Sequence, residues 1–253
     1  MTKHFFLLFL NLLVATSCKN SKILEVSQVT GEQIPVTDSI PANDSISEFI
    51  RPFKEHIDRE MNAVLAYSPY NLVKTDGELN TAIGNMMADA VMELANPVFK
   101  KRTGNAIDVV LLNHGGIRSA VEKGDITTRT AFKLMPFENE VVVAKMKGEA
   151  VRDLVRYLVD AGVAHPVSGI ELVLNKNGAI EKLLIQGEPV EDEKEYYIAT
   201  NDYLLQGGDN MVFFSKAIEV TPLNYKIRNI LIDYFKEYDT IAPVKDSRFI
   251  RLR

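Results

Sequence analysis

Between residues 113 and 139 the chain reads NHGGIRSAVEKGDITTRTAFKLMPFEN, which sets Asn113, the pair Gly115 and Gly116, and the cation Arg118 at the end of an apolar run, then brings Phe137 and Asn139 some twenty residues later. Glycines just after a buried strand let the backbone take positive φ or let a ligand approach closely, and an Asn amide both donates and accepts. A second glycine loop, NDYLLQGGDN over residues 201–210, holds Tyr203, Gly207, Gly208 and Asp209. Such loops can hold a polar ligand. Each piece also has a plainer reading. A tight turn explains the glycines, Phe137 after Pro136 reads as a core anchor, Asp209 as a turn cap, and Arg118 as a partner of Glu122 if that segment is helical.

The residue types that break bonds are missing. The histidines are His4, His56, His114 and His165, with no Asp-x-His pair. A dinuclear metal centre needs several Asp, His and Asn ligands, so Asn113-His114 is not read as the catalytic Asn-His of a metallophosphoesterase. There is no G-x-S-x-G elbow for a nucleophilic serine and no G-x-x-x-x-G-K-[ST] loop to cradle a phosphate. No catalytic residue, metal ligand or cofactor is therefore expected in this chain.

The elements that must position these loops alternate irregularly. Ile46, Phe49, Ile50, Phe53, Ile57 and Met61 recur at helical steps, with Ser45 as cap and Glu48 three residues on; Pro52 kinks this helix or marks its start. A strand over Val64 to Tyr67 and a helix from Gly77 to Ala95, stopped by Asn96-Pro97, come next. Ile107 to Leu112 is a largely buried strand that runs into the first loop. Thr127 or Thr128 starts a short helix through Leu134, Glu140 to Met146 is a strand, and Glu149 to Asp160 an amphipathic helix. A hairpin turns at Asn177-Gly178 between Ile170 to Leu174 and Ile180 to Ile185. The strand Tyr196 to Thr200 leads into the second loop, and Ala217 to Val220, a helix over Tyr225 to Tyr238 and a strand near Phe249 to Leu252 close the chain. This order predicts one α+β domain over residues 46–253 with a mixed β-sheet and flanking helices.

The chain of 253 residues is 46% hydrophobic and 25% charged, which excludes disorder, and its formal charge of −5 becomes −6 if residues 1–17, with Lys3 and no acid, are removed. With no basic cluster longer than Lys100-Lys101-Arg102, a nucleic-acid partner is not expected. Lys3 and His4 precede the apolar run Phe5 to Ala15, too short to span a bilayer, and the small residues Ala15-Thr16-Ser17 precede Cys18, the one cysteine. That pattern resembles the lipobox of bacterial lipoproteins, with Ala15 in place of the usual Leu or Val. It predicts a signal peptide over residues 1–17, lipid on Cys18, and a tether over 18–45 that holds the protein at the cell envelope.

Taken in order, GNMMADA, NHGGIR, GDIT, MPFEN, the Lys147-Gly148 strand end and NDYLLQGGD resemble the C-terminal domain of the 5′-nucleotidase family, which also includes UDP-sugar hydrolases. The resemblance implies a domain that binds the nucleoside part of a nucleotide, while a separate metallophosphoesterase domain carries two metals. It assigns Phe137 and Tyr203 to the two faces that sandwich the base, Asp209 to the ribose hydroxyls, Asn113 and Asn139 to the neighbourhood of the nucleoside, and Arg118 to the ribose or phosphate. Gly115, Gly116, Gly207 and Gly208 supply the loops around them. Relatives commonly carry an Arg near the end of the GN-x-x-x-DA helix, where this chain reads VMELANPVF; they often have Phe at Tyr203 and Gly at His114. The function so implied is recognition of a nucleoside or nucleoside 5′-phosphate for hydrolysis by a separate metallophosphoesterase chain. An enzyme acting alone and a degenerate envelope lipoprotein with a structural or adhesive role are the alternatives.

Overall fold

A computed structural model describes residue 26 and residues 28–252 of the chain. Residues 1–17 and Cys18 lie outside the described residues. The chain divides into two units, residues 1–49 and 50–253. Between residues 26 and 43 the described residues form neither helix nor strand. No helix among the described residues is long and apolar enough to cross a membrane.

The first helix, α1, runs Asp44–Met61 and starts earlier than Ser45-capped spacing predicts. Asn43 Oδ1 accepts the Ile46 N–H at 3.2 Å, which makes Asn43 the cap. Pro52 lies inside α1. Strand β1 (Val64–Ser68) leads to α2 (Ala82–Thr103), which corrects both predicted ends of the second helix. Thr81 caps it by accepting the Gly84 N–H at 3.2 Å, and the chain passes through Pro97 to the left-handed Gly104, whose N–H bonds Lys100 O at 2.9 Å. A proline costs the helix one hydrogen bond, and here the next turn is retained because it carries Phe99 into the core. Asn96 Oδ1 meanwhile accepts the Ile107 N–H at 2.9 Å.

Strand β2 (Val109–Leu111) is followed by β3 (Gly124–Thr127), which pairs with β1, and by α3 (Thr128–Leu134), whose cap Thr127 forms a reciprocal box with Thr130. Then come β4 (Glu140–Lys147), α4 (Gly148–Ala161), β5 (Val167–Ser168), the hairpin β6 (Ile170–Leu174) and β7 (Ile180–Ile185), and β8 (Glu188–Pro189). The chain closes with β9 (Glu195–Asn201), the single turn α5 (Asp202–Leu205), β10 (Glu219–Lys226), α6 (Ile227–Glu237) and β11 (Phe249–Arg251). The strand expected to end at Val220 is longer because β10 is an edge strand, where Pro222 leaves no central ladder bond unmade.

The central sheet has five strands in the order β10-β4-β9-β2-β5, with β2 and β9 parallel and the other neighbours antiparallel; β11-β6-β7-β8 form a second sheet. Both faces of the central sheet are buried. Val110, Val141 and Val143 face the core built with α2 and α6, while Val109, Leu111, Ala144 and Met146 face the core built with α4 and the second sheet. Burial on both sides is why β2 reads as an unbroken apolar run. The fold is α+β with mixed and antiparallel sheets and flanking helices, as read from the sequence.

Candidate functional site

Because β2 and β9 are parallel and β4 runs antiparallel to β9, three loops open at the same end of the central sheet: the loop after β2, the loop after β9 and the loop before β4. Carboxyl ends of parallel strands are a common location for ligands in open sheets. Here they frame a cleft of about 350 Å³ lined by Asn113, Gly115, Gly116 and Arg118 from the first loop, by Met135, Phe137 and Asn139 from the loop before β4, and by Asn201, Tyr203 and Asp209 from the last. Every non-glycine residue singled out from the sequence as a ligand contact lines this cleft. Gly207 and Gly208 do not; Met135 and Asn201 do and were not singled out.

The first loop is a single 3-10 turn, His114–Gly116. A Cβ at Gly116 would sit 2.8 Å from Asn113 Oδ1, so glycine there leaves room for the Asn113 side chain as it stands. His114 turns out of the cleft, with Nδ1 3.1 Å from Ala164 O. Residues 117–123 are not helical, and no ion pair joins Arg118 to Glu122 among the described residues. Instead Arg118 Nη1 reaches Gly115 O at 3.4 Å and its guanidinium stands 5.7 Å from the Phe137 ring centroid.

The loop before β4 is held from α6. Arg228, buried, lies 4.1 Å from the Phe132 ring centroid, pairs with Glu138, and points Nη1 at the carbonyls of Pro136 and Phe137 at 3.4 and 3.5 Å. Hydrogen bonds from Lys226 and Arg228 hold the Glu138 carboxyl at about 2. Ile227 N–H bonds Asn139 O at 3.0 Å. Phe137, so anchored through its backbone, keeps its ring 40% exposed at the mouth of the cleft.

In the last loop Asn201 caps α5 by accepting the Leu204 N–H at 2.8 Å. Tyr203 is 48% exposed, and a Cβ at Gly208 would come within 2.5 Å of its ring carbons, so glycine there makes room for the aromatic. Asp209 adopts φ 52° and ψ 28°, and Asn210 φ 61°; both are left-handed, a region that Asp and Asn tolerate best among residues with a side chain. Asp209 Oδ2 accepts from Asn113 Nδ2 at 2.7 Å, and Oδ1 accepts from the Tyr203 hydroxyl at 2.8 Å. The hydrogen bond to Asp209 pushes the Tyr203 phenol above its ordinary pKa, so it remains a donor.

The cleft thus offers two exposed aromatic rings, one carboxylate with both oxygens oriented, one cation without a carboxylate partner among the described residues, and three amides. That set suits a neutral or anionic molecule with a flat ring at one end and hydroxyls at the other. No three His, Cys, Asp or Glu side chains converge to hold a metal among the described residues.

The model of the 5′-nucleotidase C-terminal domain family matches residues 64–216. Among curated relatives, a 5′-nucleotidase of Vibrio cholerae is 25% identical over 88% of this chain and 39% of its own length, and the protein UshA of Yersinia enterocolitica is 28% identical over 90% of this chain and 40% of its own. The chain therefore spans about two fifths of the length of these relatives. Among solved structures, a 5′-nucleotidase precursor from Thermus thermophilus superposes with a TM-score of 0.68 at 21% identity over 85% of this chain and 45% of its own, which shows the shared fold.

Proposed function

Since the chain belongs to the 5′-nucleotidase C-terminal domain family, we propose that it recognises nucleosides and nucleoside 5′-phosphates and presents them to a metallophosphoesterase carried on a separate chain. The observation that carries this reading is the convergence of Phe137, Tyr203, Asp209 and Arg118 on one cleft. A base stacks between the two rings, each face contributing about 1–3 kcal/mol. The Asp209 carboxylate keeps a free lone pair on each oxygen for the ribose hydroxyls. Arg118, whose planar fork fits anionic oxygens, leaves the Phe137 ring to meet the phosphate end.

The chemistry of hydrolysis falls to the partner, whose divalent metals would activate water and stabilise the phosphoryl group. This chain contributes binding and orientation, which lower the barrier by holding the phosphate where the metals are. Export and lipid on Cys18 would set both chains on one membrane and raise their effective concentration.

Titration of the full chain with adenosine, uridine and their 5′-monophosphates tests the reading. Affinities in the micromolar to millimolar range, about 4–8 kcal/mol, are expected of a site without metals. Absence of binding to all four at millimolar concentration would sink it. The partnership is tested by adding this chain to a candidate phosphoesterase. KM for AMP should fall, and Asp209→Ala should abolish the gain without changing hydrolysis of an aryl phosphate. An equal fall in the aryl phosphate rate would mean that this chain only stabilises its partner.

A further inference from the structure

Behind the two glycine loops stands one pair of side chains that does not line the cleft. Tyr157, on α4, donates its hydroxyl to the main-chain carbonyl of Asp209 at 2.8 Å. His165, just beyond α4 and 5% exposed, accepts the main-chain N–H of His114 on Nδ1 at 3.2 Å. It therefore holds the backbone at the residue that follows Asn113. The two rings pack together with centroids 5.5 Å apart, and Phe213 packs on Tyr157 at 5.6 Å.

We propose that Tyr157 and His165 are positioning residues that set the separation between Asn113 and Asp209, and through it the fit of the cleft to the sugar of a nucleoside. The inference rests on the nucleoside reading of the site. Its physical basis is that Asp209 and Asn210 are consecutive left-handed residues, a conformation that persists where surroundings hold it. The Tyr157 bond fixes the Asp209 backbone independently of its carboxylate. The His165 bond to the His114 N–H does the same for the backbone next to Asn113. The Asn113 to Asp209 bond at 2.7 Å joins the two loops, and a relative slip of about 1 Å would break it. The Nδ1 acceptor requires a neutral imidazole, and burial, with His114 beside it, holds His165 down at about 4, so the acceptor form persists at neutral pH.

The test is titration calorimetry of the full chain with adenosine and with 2′,3′-dideoxyadenosine, which lacks the hydroxyls that Asp209 would hold. The wild type should prefer adenosine. Tyr157→Phe and His165→Leu should each lower adenosine affinity about 2- to 10-fold, the effect of one hydrogen bond, while dideoxyadenosine affinity changes less than about 2-fold. His165→Asn, which restores an acceptor near the Nδ1 position, should recover the preference. A merely structural pair would lower the urea midpoint and leave the ratio of the two affinities unchanged; that result, seen in both Tyr157→Phe and His165→Leu, overturns the proposal. If the wild type binds neither ligand, the nucleoside reading itself falls and this inference with it.

Discussion

The hydroxyl of Tyr203 donates to Asp209 Oδ1 at 2.8 Å and accepts the Asp209 backbone N–H at 3.3 Å, so the aromatic ring at the mouth of the cleft and the one carboxylate among its lining residues move as a unit. A phenylalanine would supply the same stacking face without this bond. Tyr203→Phe should therefore weaken adenosine binding modestly, about 2- to 10-fold, by freeing Asp209. Tyr203→Ala should cost more, about 5- to 150-fold, because the stacking face goes too. Calorimetry on the two variants checks the order; equal losses would mean that the ring does not stack.

Arg228 should matter to both stability and binding. Removing it uncovers the Phe132 ring, leaves Glu138 with Lys226 alone, and takes the donor from the Pro136 and Phe137 carbonyls. Arg228→Ala is expected to lose about 1–3 kcal/mol in urea denaturation and to weaken adenosine binding through the loosened Phe137 loop. Arg228→Lys should recover little, since an ammonium cannot both fork to Glu138 and lie flat on the ring.

Stability should also report His165. Its folded-state pKa is about 4 against an ordinary 6.5, because burial, then His114, disfavour the charged form. The unfolded chain takes up this proton below about 6.5 and the folded chain does not until about 4. The contribution is thus fully present above pH 6.5, declines as pH falls from 6.5 to 4, and levels off below that. The total loss is about 3 kcal/mol. Urea midpoints taken across that range should show the step in the wild type, and His165→Asn should lack it.

What was legible in the sequence follows from how local each feature is. The buried β2 run, the Asn177-Gly178 hairpin and the glycine loops announce themselves over a few residues, and the ordered motifs contain the residues that line the cleft. The limits of α2 do not announce themselves, because whether a helix survives Pro97 depends on Phe99 reaching a core made by distant strands. Asn201 gives no signal of its own as a ligand contact; in the structure its Oδ1 caps the turn that follows it. Tyr157 and His165 gave no signal: their partners, Asp209 and His114, lie 52 and 51 residues away in the chain. Nor could spacing reveal that His114 faces away from the cleft towards Ala164.

The most direct measurement of the central claim is a crystal structure of the chain soaked with adenosine 5′-monophosphate. The account predicts the adenine between the Phe137 and Tyr203 rings, the ribose hydroxyls on Asp209, and Arg118 swung from Phe137 towards the phosphate. Nucleotide bound elsewhere, such as in the open groove between Arg156, Phe213 and Lys216, with the Phe137 and Tyr203 cleft left empty, would contradict it.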